Sequence, residues 1–295
     1  GVARALNISI LITASAIYTG REVLRDGYVY IEDGIVKDVG PQPPPDDVQD
    51  ATLIIGGPGR VVVPGLTAVA DVAAYGIRYS RPTIGRRVEF YRRLSDDELF
   101  KLSLPGVYEL HMMGVTTIFV ESLSPRLPFD LARKVGGFYG AARPTCVEEF
   151  RVQPTLRGLI SIGGGECPAG DVADGDRESL VLTGTGGYNI DGIADVLQAS
   201  SKLRRLAGLP DPLIEPNSTA EIAVFDTSRP PAMFLYAASE DLIRTVYTSR
   251  AYLETLIAGQ DVLVEMGEHL RIGRKHLEEA TNLVRRLGLM KGLET

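Results

Sequence analysis

Histidine and cysteine are nearly missing from this sequence of 295 residues: three histidines (His111, His269, His276), two cysteines (Cys146, Cys167) and no tryptophan. Two cysteines cannot brace a chain of this length, and their spacing matches neither a zinc ribbon nor a CxxC redox pair. No two histidines stand four apart on one helix face, so the simplest two-imidazole metal motif is excluded. No apolar run approaches the ~18 residues that a membrane span needs. Positive charge is also short: 31 Lys and Arg against 38 Asp and Glu give a formal charge of −7, which argues against nucleic-acid or anionic-membrane partners. Lysine occurs only at Lys37, Lys101, Lys134, Lys202, Lys275 and Lys291, so arginine carries most of the basic charge. Arg4, the apolar stretch Ala5 to Ile12 and Ala14-Ser15-Ala16 loosely imitate a signal peptide. The alternation of Ser9 and Thr13 with Ile8, Ile10 and Ile12 fits a half-buried strand better, and the expectation is a cytoplasmic protein.

What is present is strand-rich at both ends and α/β between them. Tyr28 to Glu32 meets Ile35 to Val39 across Asp33-Gly34, a dipeptide that supplies the positive φ values of a tight hairpin. Prolines at 41, 43, 44 and 45 mark a stiff connector. Ser95-Asp96-Asp97-Glu98 is a capping box that opens a helix through Leu99, Leu102, Val107, Leu110 and Met113, kinked by Pro105 and stopped at Gly114. His111 is expected to cap the end of that helix. Val115 to Val120 then reads as a buried strand, 128–135 as a helix, and 159–162 and 180–183 as strands. A helix over 192–207 and strands at 221–225 and 261–264 follow. A last helix over 267–287 carries an apolar stripe of Leu270, Gly273, Leu277, Ala280, Val284 and Leu287.

The order of these pieces, "YVYIEDGIVKDVGP", "VVVPGL", "LSDDELFKLSLPGVYELHMMGVTTIFVE", "GTGGYN" and "LRRLAGLPDPLIEPNSTAEIAVFD", resembles the amidohydrolase superfamily, in particular its cytosine-deaminase and chlorohydrolase branch. The resemblance implies an α/β fold: a (β/α)8 barrel with a small β-sandwich built from both chain ends. It divides the chain into a composite sandwich domain (1–63 plus 208–265), a barrel-like domain (64–207) and a C-terminal helix (266–295). It also implies hydrolysis of C–N or C–Cl bonds by water activated on zinc or iron.

The family's first barrel strand ends in Pro-Gly-Leu, three residues, then His-x-His. Here Pro64-Gly65-Leu66 leads to Ala70 and Val72 at the histidine positions, and Gly186 stands where a metal-binding aspartate is expected. Pro64 to Ala207 also falls well short of the about 250 residues of a full barrel. The expectation is a truncated or rearranged TIM-barrel-like fold with no cofactor, acting as a non-catalytic binding or assembly protein. Its partner would be a second copy or a barrel-containing paralogue, and it could hold a small-molecule ligand. The competing reading is a hydrolase with a site rebuilt from Glu121, Glu166, Asp71 or Cys167. Glu121 follows a buried strand and Glu166-Cys167 follows three glycines. Arg143 and Thr185 are the candidates for substrate binding.

Overall fold

The computed structural model describes residues 8–74, 90–122, 124, 126–142, 151–156, 159–163, 201, 204–205, 208–233, 246 and 249–287, with the side chains of 69, 121, 141–142 and 151–163 outside the description. The chain divides into two compact units, Gly1–Gly65 with Pro212–Glu268, and Leu66–Asp211 with His269–Thr295. Among the described residues no helix is long and apolar enough to cross a membrane.

The first unit is built from strands of both chain ends: β1 (Ser9–Tyr18), β2 (Val23–Glu32), β3 (Ile35–Pro41), β4 (Leu53–Pro64), and, once the chain has passed through five strands of the second unit, β10 (Glu221–Asp226), β11 (Tyr252–Ala258) and β12 (Asp261–Glu265), while the two-residue β13 (Glu268–His269) ends on the first residue of the second unit's last segment. They form one sheet in the order β13-β12-β11-β10-β4-β1-β2-β3. Period-2 patterning explains the packing: Ile10, Ile12, Ala14 and Ile17 of β1 join Val29, Ile31, Val62, Ile222, Val224 and Ile257 in one apolar cluster. Leu11 joins Tyr28 and Val48 in a second cluster, so β1 is buried on both faces rather than one.

The expected hairpin forms between β2 and β3, with Asp33 at φ 52° and Gly34 at φ 74°. Gly34 is required for space as well: a Cβ there would lie 2.6 Å from the backbone of Gln260 and Gly259. Arg60 of β4 ties the middle of the sheet together, 2.8 Å from Glu254 of β11 and 3.8 Å from Asp226 of β10.

The second unit holds a five-stranded sheet in the order β5-β6-β7-β9-β8, made of β5 (Leu66–Ala70), β6 (Val115–Glu121), β7 (Phe138–Ala142), β8 (Arg151–Leu156) and β9 (Leu159–Gly163). β5, β6, β7 and β9 run parallel, and β8 pairs antiparallel with β9. Helix α1 (Asp96–Met112) connects β5 to β6, and α2 (Leu127–Lys134) connects β6 to β7, which is the crossover grammar of a parallel sheet. The capping box is realised: the Ser95 hydroxyl accepts the Glu98 amide, and the Glu98 carboxylate accepts the Ser95 amide, both at 3.1 Å.

Leu99, Leu102, Ser103, Gly106, Val107, Leu110 and His111 are buried at helical spacing, so α1 turns one stripe inward. The helix runs through Pro105 and ends before Gly114, whose φ is 90°. The C-terminal helix α3 is shorter than the sequence pattern predicts: it spans Arg274–Arg286, because 268–272 form β13 and a turn. Ala280, Leu283 and Val284 are buried, while Leu270 and Leu287, the ends of the expected stripe, are exposed. The strand expected at 180–183 and most of the helix expected at 192–207 lie outside the described residues.

Candidate functional site

Two polar clusters in the second unit could carry chemistry. The first lies at the carboxyl ends of the parallel strands, where α/β folds place their sites. Ala70 pairs with Val120 and Glu121 with Ala142, so the register sets Asp71, the residue after β5, and Glu121, the last of β6, at the same end of adjacent strands. Ala70 and Val72 are fully buried hydrocarbon, and the carboxylate of buried Asp71 accepts a 2.8 Å hydrogen bond from the Tyr91 hydroxyl. Lower on the same strands, Thr67 faces Thr117 in register, and the buried guanidinium of Arg204 donates to their hydroxyls at 3.1 and 3.4 Å and to the Pro210 carbonyl at 2.6 Å. Sequence reasoning missed Arg204, and Tyr91 with it; each is one side chain among many of its kind, with no spacing motif to mark it. The candidates Arg143, Glu166, Cys167, Thr185 and Gly186 lie outside the described residues.

The second cluster is the pair His111 and His269. Nδ1 of His111 lies 2.9 Å from Nε2 of His269, and the rings stack at 13° with centroids 5.2 Å apart. Nδ1 of His269 accepts the backbone amides of Arg271 (3.1 Å) and Ile272 (2.9 Å), so the proton of the neutral ring sits on Nε2 and is donated to His111. His111 therefore carries its own proton on Nε2, a buried donor with no acceptor among the described residues. Burial, then the neighbouring His269, holds the pKa of His111 well below the usual 6.5. Burial, then the nearby Arg271 and His276, lowers that of His269 to about 4. This corrects the expectation that His111 caps its own helix: its side chain turns to a residue 158 positions away. Spacing rules that look for two histidines on one helix could not have found a pair so far apart in sequence.

With this geometry in place, the fold can be compared with known ones. It is the amidohydrolase fold, as the solved structures similar to it show. Atrazine chlorohydrolase from Arthrobacter aurescens TC1, solved with zinc, matches with a TM-score of 0.69 over 93% of this chain and 100% of that one, at 12% identity. An adenosine deaminase from Xanthomonas campestris with bound zinc matches with a TM-score of 0.66 over 96% of this chain and 99% of that one, at 11% identity. Ochratoxinase from A. niger matches at 0.56 over 88% and 97%, with 10% identity. No family model and no curated protein matches the sequence.

These structures correct the expectation of a chain without a cofactor, because zinc is bound in neighbours that share its fold. The described residues at the end of β5 do not fit such an ion. Ala70 and Val72 have no donor atom, the Asp71 carboxylate accepts the Tyr91 hydroxyl, and no group of three His, Cys, Asp or Glu side chains converges among the described residues. The His111 and His269 pair offers no alternative, since the nitrogens that face each other are joined by a hydrogen bond and the outer nitrogen of His269 is taken by two amides.

Proposed function

We propose that this chain is an amidohydrolase-fold protein whose strand ends serve binding or assembly and not hydrolysis. The observation that carries this reading is the replacement of a ligating pair by buried Ala70 and Val72, flanking an Asp71 carboxylate engaged by Tyr91. A metal-activated hydroxide needs several donors around an open coordination position, and one hydrogen-bonded carboxylate does not supply them. The second unit is read as a shortened, rearranged (β/α) barrel and the first as a composite β domain. An open barrel remnant leaves sheet edges and apolar faces that self-association covers, so a second copy of the chain, or a barrel-containing paralogue, is the proposed partner.

The test is turnover of triazine, pyrimidine and acyl-amide substrates by the zinc-supplemented protein, run beside its mass in solution. The expected result is no turnover above the zinc-only control, with a mass of twice the chain. Turnover that Asp71→Ala abolishes would overturn the reading in favour of a C–N or C–Cl hydrolase with a rebuilt site.

A further inference from the structure

We propose that the buried hydrogen bond between His111 and His269 is a proton-sensitive latch, which holds the segment carrying α3 against α1 and opens in mild acid. The geometry makes the pair intolerant of an added proton at either ring. Protonating His111 at Nδ1 sets two N–H donors against each other across 2.9 Å. Protonating His269 at Nδ1 removes the acceptor that holds the amides of Arg271 and Ile272, the turn that leads into α3. A single shared proton is thus the one arrangement that satisfies all three bonds.

The surroundings favour this neutral state. The charged group nearest in sequence to His269 on the α3 side is the Arg271 guanidinium, which disfavours a second positive charge, and His276 accepts the Gly273 amide at the start of α3 through Nδ1. From α1, Tyr108 stands with its ring 5.9 Å from that of His269, and Glu109 faces the cavity between the helices. From β7, Tyr139 lies 6.4 Å from the His111 ring, with its hydroxyl donated to the Gly136 carbonyl. The three hydrogen bonds described for the pair join the two rings and two backbone amides, and none involves a carboxylate that would stabilise an imidazolium.

Outside the histidine pair, α3 keeps its apolar side chains Ala280, Leu283 and Val284 buried, so the latch acts at one end of that helix. Pro105, Tyr108, Leu277, Thr281 and Val284 border a cavity of about 400 Å³ between the helices. At the far end Arg286 stands 3.8 Å from Glu98, a largely solvent-exposed contact worth little.

The sign of the effect follows from linkage. Both rings have docked pKa values below the unfolded 6.5, so the released state binds more protons, and docking weakens as pH falls below about 6.5. The weakening levels off only below the docked values, about 4 for His269. Each proton taken up on release changes the docking constant about tenfold per pH unit, and two change it about a hundredfold.

Hydrogen exchange of the α3 amides in the full chain, from pH 7.5 to 5 and corrected for intrinsic rates, tests the latch. The opening constant of α3 is expected to rise about 10- to 100-fold per pH unit below 6.5, while amides of β1 and β10 hold their protection. His269→Gln keeps a donor amide for His111 but cannot gain a proton, and is expected to reduce the slope to tenfold or less. An unchanged slope in His269→Gln, or no α3 opening in the unsubstituted chain at pH 5, would overturn the proposal. If the variant does not fold, nitrogen NMR of the unsubstituted chain decides. Both rings as Nε2–H tautomers at pH 7.5, gaining protons only as α3 loses its protection, support the latch, and titration near 6.5 with α3 still protected overturns it.

Discussion

The end of β5 and the foot of α3 belong to the same unit and invert each other. At β5 the family resemblance implies a metal centre, the sequence already puts Ala70 and Val72 at the ligand positions, and the structure buries both beside an Asp71 carboxylate that accepts a tyrosine hydroxyl. At α3 the sequence pattern points only to an amphipathic helix, and the structure brings together two of the chain's three histidines. The lesson is that a local motif can be compared, position by position, within a short window of sequence. Chemistry built by tertiary contact has no window.

The sharpest way to break this contrast is to attack the frame that both places share. Leu110→Ala removes a fully buried side chain one residue before His111 and is expected to cost about 2–5 kcal/mol in denaturant unfolding. A cost below about 1 kcal/mol would show that α1 is not the packed support described. Next comes Tyr91→Phe, which leaves the buried Asp71 carboxylate without that bond and is expected to cost about 1–3 kcal/mol. A neutral result would show that the Tyr91 bond is not what holds the carboxylate, and would bring the β5 end back toward chemistry.

Ser95→Ala deletes the α1 cap, for an expected loss of about 1 kcal/mol in thermal or urea unfolding, with the α3 exchange slope unchanged. A changed slope would couple the two ends of α1 more tightly than the structure implies. The smallest effect is expected from Arg274→Ala. It breaks a solvent-exposed pair with Glu278 at 2.8 Å and should move the melting temperature by less than about 1 °C, which calorimetry can check.

Much of the fold was legible locally. The Asp33-Gly34 hairpin, the Ser95 capping box, the strand after Gly114 and the proline-opened helix α2 all depend on residues within a few positions of each other, and each forms where the pattern puts it. The start of α3 differs from the sequence pattern because Leu270 continues the apolar period without being buried, and Gly267 and Gly273 give no helical anchor there. Strands β8 and β11 were missed: Pro154 disfavours a ladder, and β11 alternates a buried and a half-buried face only at its beginning.

Of the candidate site, Asp71 and Glu121 were marked by their place after strands, and the parallel register sets them at one end. Arg204, Tyr91 and the partnership of His111 with His269 depend on pairs far apart in the chain, and spacing rules carry no information about those.

The central proposal is that the Asp71 carboxylate at the β5 end serves its hydrogen bond to Tyr91 and not a metal ion. Zinc titration of the chain and of Asp71→Asn, followed by calorimetry, tests it most directly. The account predicts the same zinc uptake in both proteins, because the Asp71 carboxylate is held by Tyr91 and takes no part in ligation. Loss of a bound zinc in Asp71→Asn would contradict it.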